Sequence, residues 1–172
     1  MLKAGILILK PYVEALDTRW VVFFLLLTLV LGLFLKKLGR GHIGATCFTV
    51  LYLGLVYTST VLSRMPGSGV NIALTPLWSY AQWIQGNDVF LKYIVLNILM
   101  LLPIGVSLSF VWKSPKCILI FGFLFSCLIE TSQLLTGRGL FEIDDILHNT
   151  LGVYLGTLLY RAGKRPQKDP GP

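Results

Sequence analysis

Five long apolar runs, nearly free of charged residues, constrain this chain more than any other feature of its sequence. They cover residues 20–38, 43–62, 93–112, 117–136 and 143–160. A helix needs about 20 apolar residues to cross the hydrocarbon core of a bilayer. Only 13% of the chain is charged, whereas a soluble domain has about 25% charged residues. The sequence therefore predicts an all-α fold, a polytopic transmembrane bundle of about five spans.

The segments outside these runs have a different composition. Residues 1–19 contain the apolar stretch AGILIL, which is too short to span and predicts an interfacial amphipathic segment. Residues 20–160 form the predicted transmembrane domain. Residues 161–172 are charged and Pro-rich and are expected to be a disordered tail. The cysteines Cys47, Cys117 and Cys127 lie in apolar runs and are interpreted as buried apolar side chains.

The distribution of Lys and Arg predicts how the chain is oriented. The side that holds the C-terminal tail has nine of these residues, and the side that holds the N-terminus has six. Cytoplasmic flanks carry the excess of positive charge, so the N-terminus is predicted to lie outside and the tail inside. The net charge of +7 lies on single or paired residues between apolar runs. We therefore expect the lipid bilayer, rather than nucleic acid, as the partner of these basic residues.

The loop 63–92 then lies outside and contains the aromatic residues Trp78, Tyr80 and Trp83. Such residues are enriched at the level of the lipid headgroups. They predict a short helix in the headgroup layer. A platform on which bases or sugars stack is the alternative.

Two of the runs carry polar residues at helical spacing. The residues of the fourth run that share one face are Ser126, Glu130, Gln133 and Gly137. The fifth run repeats the same offsets with Asp145, Asn149, Gly152 and Gly156. Gly152 and Gly156 form the pattern G-x-x-x-G, which lets another helix approach closely. The pattern predicts that the two polar faces meet each other.

The third run adds Asn97, Pro103 and Gly105. Pro103 removes a backbone hydrogen bond and predicts a kink, and Gly105 is expected to pack against another helix. An ionisable group at membrane depth indicates a functional site by default. The candidate functional polar cluster therefore consists of Asn97, Glu130, Gln133, Arg138, Asp145, His148 and Asn149.

Structural interpretations of the same residues stay open. The amides could join helices through hydrogen bonds, Glu130 could pair with Arg138, and Asp144 could be a favourable charge at a helix start. His148 could be a polar residue with its hydrogen bonds satisfied. The acidic residues and His148 show no recognised metal spacing, so no metal and no cofactor is predicted.

The order of these motifs resembles the VanZ-like family of bacterial membrane proteins. E-T-S-Q at 130–133, a glycine-rich loop with Arg138 and D-D-I-L-H-N-T-L-G at 144–152 follow its pattern E-x-x-Q, then D-x-x-x-N-x-x-G. N-I-L-M-L-L-P-I-G at 97–105 resembles its N-x-x-x-x-x-P-x-G. The upstream A-L-T-P-L departs from the family's N-L-x-P-F at Ala73 and Leu77. The resemblance covers residues 71–160.

The resemblance implies a bacterial cytoplasmic membrane protein of the cell envelope. The family's namesake gives low-level resistance to the glycopeptide teicoplanin without the altered peptidoglycan precursor. The first hypothesis is a non-enzymatic protein that binds or shields a lipid-linked or amphiphilic ligand at the outer leaflet. The alternatives are a membrane-embedded enzyme that uses Glu130 as acid or base on a lipid headgroup or cell-wall precursor, and a small transporter or flippase.

Overall fold

The computed structural model describes residues 18–37, 42–67 and 71–164. Over these residues the chain forms an all-α bundle, as predicted. Its helices are α1 (Thr18–Lys37), α2 (Ile43–Tyr57), α3 (Trp78–Ile84), α4 (Val89–Val111), α5 (Pro115–Thr136) and α6 (Ile143–Gly163). A π-helix, Thr58–Leu62, continues α2 directly. Two short strands, β1 (Asn71–Ala73) and β2 (Leu140–Glu142), precede α3 and α6 respectively.

The five long helices coincide with the five apolar runs. α4 begins four residues before the predicted start, and α6 continues to Gly163, three residues beyond the predicted end of the fifth span at residue 160. Of the predicted N-terminal segment only Thr18 and Arg19 belong to the described residues, and residues 165–172 lie outside them. Within the described part, three helices are long and apolar enough to cross a membrane: Ile43–Leu62, Val89–Val111 and Pro115–Thr136. α1 is apolar over the shorter stretch Val22–Lys36, and α6 has a polar first turn.

The closest helix contact joins α4 and α6 through glycines. A Cβ atom on Gly152 would overlap the carbonyl oxygen of Ile98, and one on Gly156 would overlap that of Leu102. From the other side, a Cβ on Gly105 would overlap the carbonyl oxygen of Val153. Small residues at such positions let backbones approach. Gly152 and Gly156 thus face α4, and the expectation that they face the fourth span is wrong.

Pro103 lies inside α4, which continues through it as a helix. The buried core is formed by side chains of this helix and of the helices around it, and it consists of Val56, Val61, Leu101, Ile104, Leu108, Ile118, Ile129 and Val153. Large apolar side chains on the outer faces stay exposed, for example Leu29 of α1 and Leu128 of α5. This is the arrangement of helices that contact lipid tails.

The two strands join the loops at one end of the bundle. β1 pairs with β2 in parallel, with Asn71 opposite Leu140 and Ala73 opposite Glu142. The N–H of Gly67 also donates to the carbonyl of Gly137 at 2.6 Å. The sequence did not predict this pair because three residues are too few for a recognisable strand pattern. The pairing brings the α2–α3 loop against the α5–α6 loop.

Candidate functional site

A cleft of about 770 Å³ lies between α2 and α4. Its walls are apolar over most of their length. The apolar lining residues are Tyr52, Leu55, Val56, Phe90, Tyr93, Ile94, Leu96, Leu99, Met100 and Leu140. The polar lining residues are Ser59, Thr60, Arg64, Ser79, Asn97, Gln133, Glu142 and Asp145. An apolar cavity with a few polar groups is the usual form of a small-molecule binding site.

Hydrogen bonds position the polar groups of this cleft. Asn97 Nδ2 of α4 donates to Asp145 Oδ1 of α6 at 2.5 Å. Gln133 Nε2 of α5 donates to the carbonyl oxygen of Thr60 at 3.1 Å. These two bonds connect four helical segments at one place. Asn97, Gln133 and Asp145 are therefore the three members of the predicted cluster that line the cleft together.

Glu142, at the end of β2, is half-buried in the same region. Burial raises its pKa from an ordinary 4.5 to about 7, because a carboxylate loses hydration when it is enclosed. The negative charges of Asp145 and Asp144 raise the pKa further, and the positive charge of Arg64 opposes them. The carboxyl group of Glu142 thus gains or loses its proton close to neutral pH.

Glu130 is 1% exposed, and its Oε2 accepts the backbone N–H of Glu142 at 3.0 Å. It is not among the residues that line the cleft. The bond joins the C-terminal half of α5 to the end of β2, directly before α6. In this structure Glu130 therefore positions Glu142, which does line the cleft.

Arg138 lies at the other side of the same loop. Its Nη1 donates to the carbonyl oxygen of Leu62 at 2.8 Å and, at a longer 3.4 Å, to that of Val61. These carbonyls belong to the last turn of the π-helix, where carbonyl groups lack partners within the helix. Arg138 thus caps the end of the second span, and its guanidinium contacts backbone rather than Glu130.

Asp144 has a role that the sequence did not predict. Its Oδ1 accepts the N–H of Leu77 at 2.6 Å, and its Oδ2 accepts the N–H of Ser79 at 2.8 Å. Its side chain is 2% exposed. Leu77 has a positive φ of 61°, a conformation that is uncommon outside glycine. Asp144 therefore holds the start of α3 against α6. In the sequence, the only indication of this role was that a second acidic residue stands beside Asp145.

His148 also contacts α3 rather than the cleft. Its Nε2 lies 3.1 Å from the hydroxyl of Tyr80, and the two rings meet edge-on at 5.4 Å. Trp78 packs edge-on against Phe90 with ring centroids 5.0 Å apart, whereas Trp83 stays 38% exposed. The predicted short helix is present. Trp78 and Tyr80 thus each form a ring contact with another helix.

Asn149 lies at the contact between α5 and α6. Its Nδ2 donates to Ser126 Oγ at 2.9 Å, and both residues are buried. This bond shows that the polar faces of the fourth and fifth runs do meet at this level. Asn149 does not line the cleft. The structure thus divides the predicted cluster into three groups. One group lines the cleft, one forms contacts with the loops and with α3, and Asn149 forms an interhelical hydrogen bond. The cleft group is Asn97, Gln133 and Asp145, and the contact group is Glu130, Arg138 and His148.

The comparison with protein families agrees with this architecture. A model of the VanZ/LLP1 family matches residues 45–164. The chain belongs to the VanZ/LLP1 family. The matched region runs from α2 to the end of α6 and contains every residue that lines the cleft, whereas α1 precedes it. Comparisons with curated proteins and with solved structures found no match.

Five polar residues of the VanZ/LLP1 region line the cleft but were not in the predicted cluster: Ser59, Thr60, Arg64, Ser79 and Glu142. The sequence indicated Arg64 only as a basic residue in the loop after the second run, and it placed Glu142 at the rim of the predicted cluster. Tyr52 lies in an apolar run, and its hydroxyl donates to the carbonyl oxygen of Met100 at 3.0 Å. Within residues 18–37, 42–67 and 71–164, no group of three or more His, Cys, Asp or Glu residues is placed to hold a metal ion.

Proposed function

We propose that this protein binds an amphiphilic molecule in the cleft between α2 and α4. The apolar part of the ligand would lie along Leu55, Leu96 and Leu99, and its polar group would contact Glu142 and Asp145. The observation that carries the proposal is that one cavity combines a long apolar wall with a compact set of charged groups. A purely structural helix contact has no need of a cavity of about 770 Å³.

The position of the cleft in the fold supports this assignment. Ile43–Leu62 and Val89–Val111, which form its walls, are long and apolar enough to cross a membrane. Glu142 and Arg64 belong to the loop end of the bundle. In a bilayer the apolar walls would lie at the depth of lipid tails, and the charged groups would lie near the headgroups.

We further propose that the protein resides in a bacterial cytoplasmic membrane with the loop end facing outwards. The excess of Lys and Arg on the opposite side supports this orientation. The cleft would then bind or shield a lipid-linked or amphiphilic molecule at the outer leaflet. A lipoglycopeptide antibiotic is an amphiphile of this kind, so reduced susceptibility to such compounds is the expected cellular effect.

Two matched variants test whether the cleft is the binding site. Leu99 and Leu128 are exposed to nearly the same extent, 53% and 52%, but only Leu99 lines the cleft. Leu99→Trp should fill the cavity and abolish saturable binding of a fluorescent amphiphile to the purified protein. Leu128→Trp should bind as the wild type does. Equal binding by both variants would contradict the proposal.

The cellular effect requires a separate experiment. Cells that express Asp145→Asn at wild-type levels should lose part of their protection from lipoglycopeptides. A deletion strain should be at least as susceptible as the variant. If the deletion leaves susceptibility unchanged, the antibiotic part of the proposal is wrong, and the binding experiment decides the rest.

A further inference from the structure

The charges at the polar end of the cleft restrict the ligand further. Arg64, Glu142 and Asp145 are the charged residues that line it, within the described part of the chain. A guanidinium binds phosphate well through its planar donors. Two carboxylates accept hydrogen bonds from an ammonium group. The cleft therefore presents partners for both signs of charge close to each other.

This inference rests on the proposed function: we propose that the ligand is a membrane lipid with a zwitterionic headgroup, a phosphate followed by a primary ammonium. The phosphate contacts Arg64, and the ammonium contacts Glu142 and Asp145. The acyl chain lies against the apolar wall formed by α2 and α4.

The arrangement of the carboxylates supports this assignment. Asp145 keeps one hydrogen bond from Asn97, which fixes the orientation of its carboxylate. Glu142 is held from its backbone side, where its N–H donates to Glu130. The cleft lining contains two acidic residues and only one basic residue, Arg64. The negative charges of Asp144 and Asp145 also raise the pKa of Glu142. A cation supplied by the ligand would relieve this excess of negative charge.

Two lipids with identical acyl chains test whether the ammonium group contributes to binding in addition to the phosphate. Phosphatidylethanolamine carries phosphate and ammonium, whereas phosphatidylglycerol carries phosphate alone. Native mass spectrometry of the full-length protein with an equimolar mixture should show about fivefold more bound phosphatidylethanolamine, the ratio expected of one partly solvated ion pair. Equal binding, or a preference for phosphatidylglycerol, would overturn this inference.

The variants should change different quantities: one the selectivity ratio between the two lipids, the other the amount of both lipids bound. Glu142→Gln should reduce the selectivity ratio towards one because it removes an ammonium partner. Arg64→Gln should reduce the loading of both lipids and leave their ratio unchanged, because both carry the phosphate. Asp88→Asn removes an exposed carboxylate outside the cleft and should change neither quantity. Unchanged selectivity in Glu142→Gln would contradict the assigned contacts.

Soluble phosphoethanolamine distinguishes a lipid site from a site for the free headgroup. It has both charges but no acyl chain, so a millimolar excess should not displace the lipid. Displacement would show a headgroup site without chain recognition and would overturn the lipid assignment. Absence of saturable binding for every lipid and for the fluorescent amphiphile would instead remove the proposed function itself, so the two failures are distinguishable.

Discussion

The carboxylate of Asp144 holds the backbone of Ser79: Oδ2 accepts its N–H at 2.8 Å, and Oδ1 accepts the N–H of Leu77 two residues earlier. These bonds fasten α3 to α6 across 65 residues of sequence. Ser79 lines the cleft. The buried carboxylate of Asp144 therefore contributes to the position of α3 beside the cleft, together with the ring contacts of Trp78 and Tyr80.

Asp144→Asn should loosen α3. The amide can accept one of the two N–H bonds, but its NH₂ group faces the other donor. Hydrogen bonds to a charged group contribute about 1.5–3 kcal/mol, so we expect a loss of about that size. Hydrogen exchange should accelerate at the amides of Leu77 and Ser79 more than in α4. Asp88→Asn, at an exposed carboxylate, should leave this exchange as in the wild type.

The glycine contact between α4 and α6 should tolerate no methyl group. Gly156→Ala would place a Cβ against the backbone of Leu102 and Val106, and neither backbone can move without separating the helices. Overpacking of this kind costs about 1–3 kcal/mol or more. Gly44→Ala is the control, because a Cβ there meets nothing within 4 Å. Thermal unfolding in detergent that is equally unaffected by both changes would contradict the packing.

Glu142 should make the protein less stable as the pH rises. Between about pH 4.5 and about 7 the folded protein keeps a proton on Glu142 that the unfolded chain has released. By proton linkage the free energy of unfolding then falls with increasing pH across this window, and this contribution levels off above it.

Glu142→Gln tests this sign. The glutamine side chain has no carboxyl group to titrate. The free energy of unfolding of the variant should therefore fall less than that of the wild type between pH 5 and about 7. It should be the more stable protein at about pH 8. Chemical unfolding of both proteins across this range measures the difference. Parallel stability curves would show that Glu142 does not titrate in this window.

The hydrogen bond between Asn149 and Ser126 should contribute modestly. Such bonds between membrane helices contribute about 0.6 kcal/mol on average in double-mutant cycles. A cycle of Ser126→Ala and Asn149→Ala should give a coupling free energy of that order. The same two variants should keep lipid selectivity, because neither residue lines the cleft. Loss of selectivity in Asn149→Ala would place this residue in the site after all.

The sequence predicted the helices well because each long helix coincides with an apolar run, and three of the described helices are long and apolar enough to cross a membrane. α2 with its π-helix covers Ile43–Leu62, the run as predicted. It also placed Asn97, Gln133 and Asp145 in one candidate cluster, since polar groups at such depth are costly without a role, and the structure places these three along one cleft. Helical periodicity indicates which residues share a face of one helix. It does not indicate how α4, α5 and α6 pack together, and that packing brings these three residues to one cleft.

The rest depended on contacts between distant segments. Asp144 bonds to backbone N–H groups, and every residue type except proline offers such a group, so no sequence pattern marks the partner. The β1–β2 pairing places Glu142 at the cleft although its local sequence predicts only a loop. Arg64 follows a membrane span, where a basic residue has an ordinary explanation as a flanking charge.

The most direct test of a lipid-binding cleft is photoaffinity labelling with a lipid that carries a diazirine in the middle of its acyl chain. We expect saturable labelling in the segments 52–60 and 90–100, which contain most of the cleft-lining residues, and its suppression by excess unlabelled phosphatidylethanolamine. Labelling that does not saturate and that is equally strong on the exposed faces of α1 and α5 would contradict it.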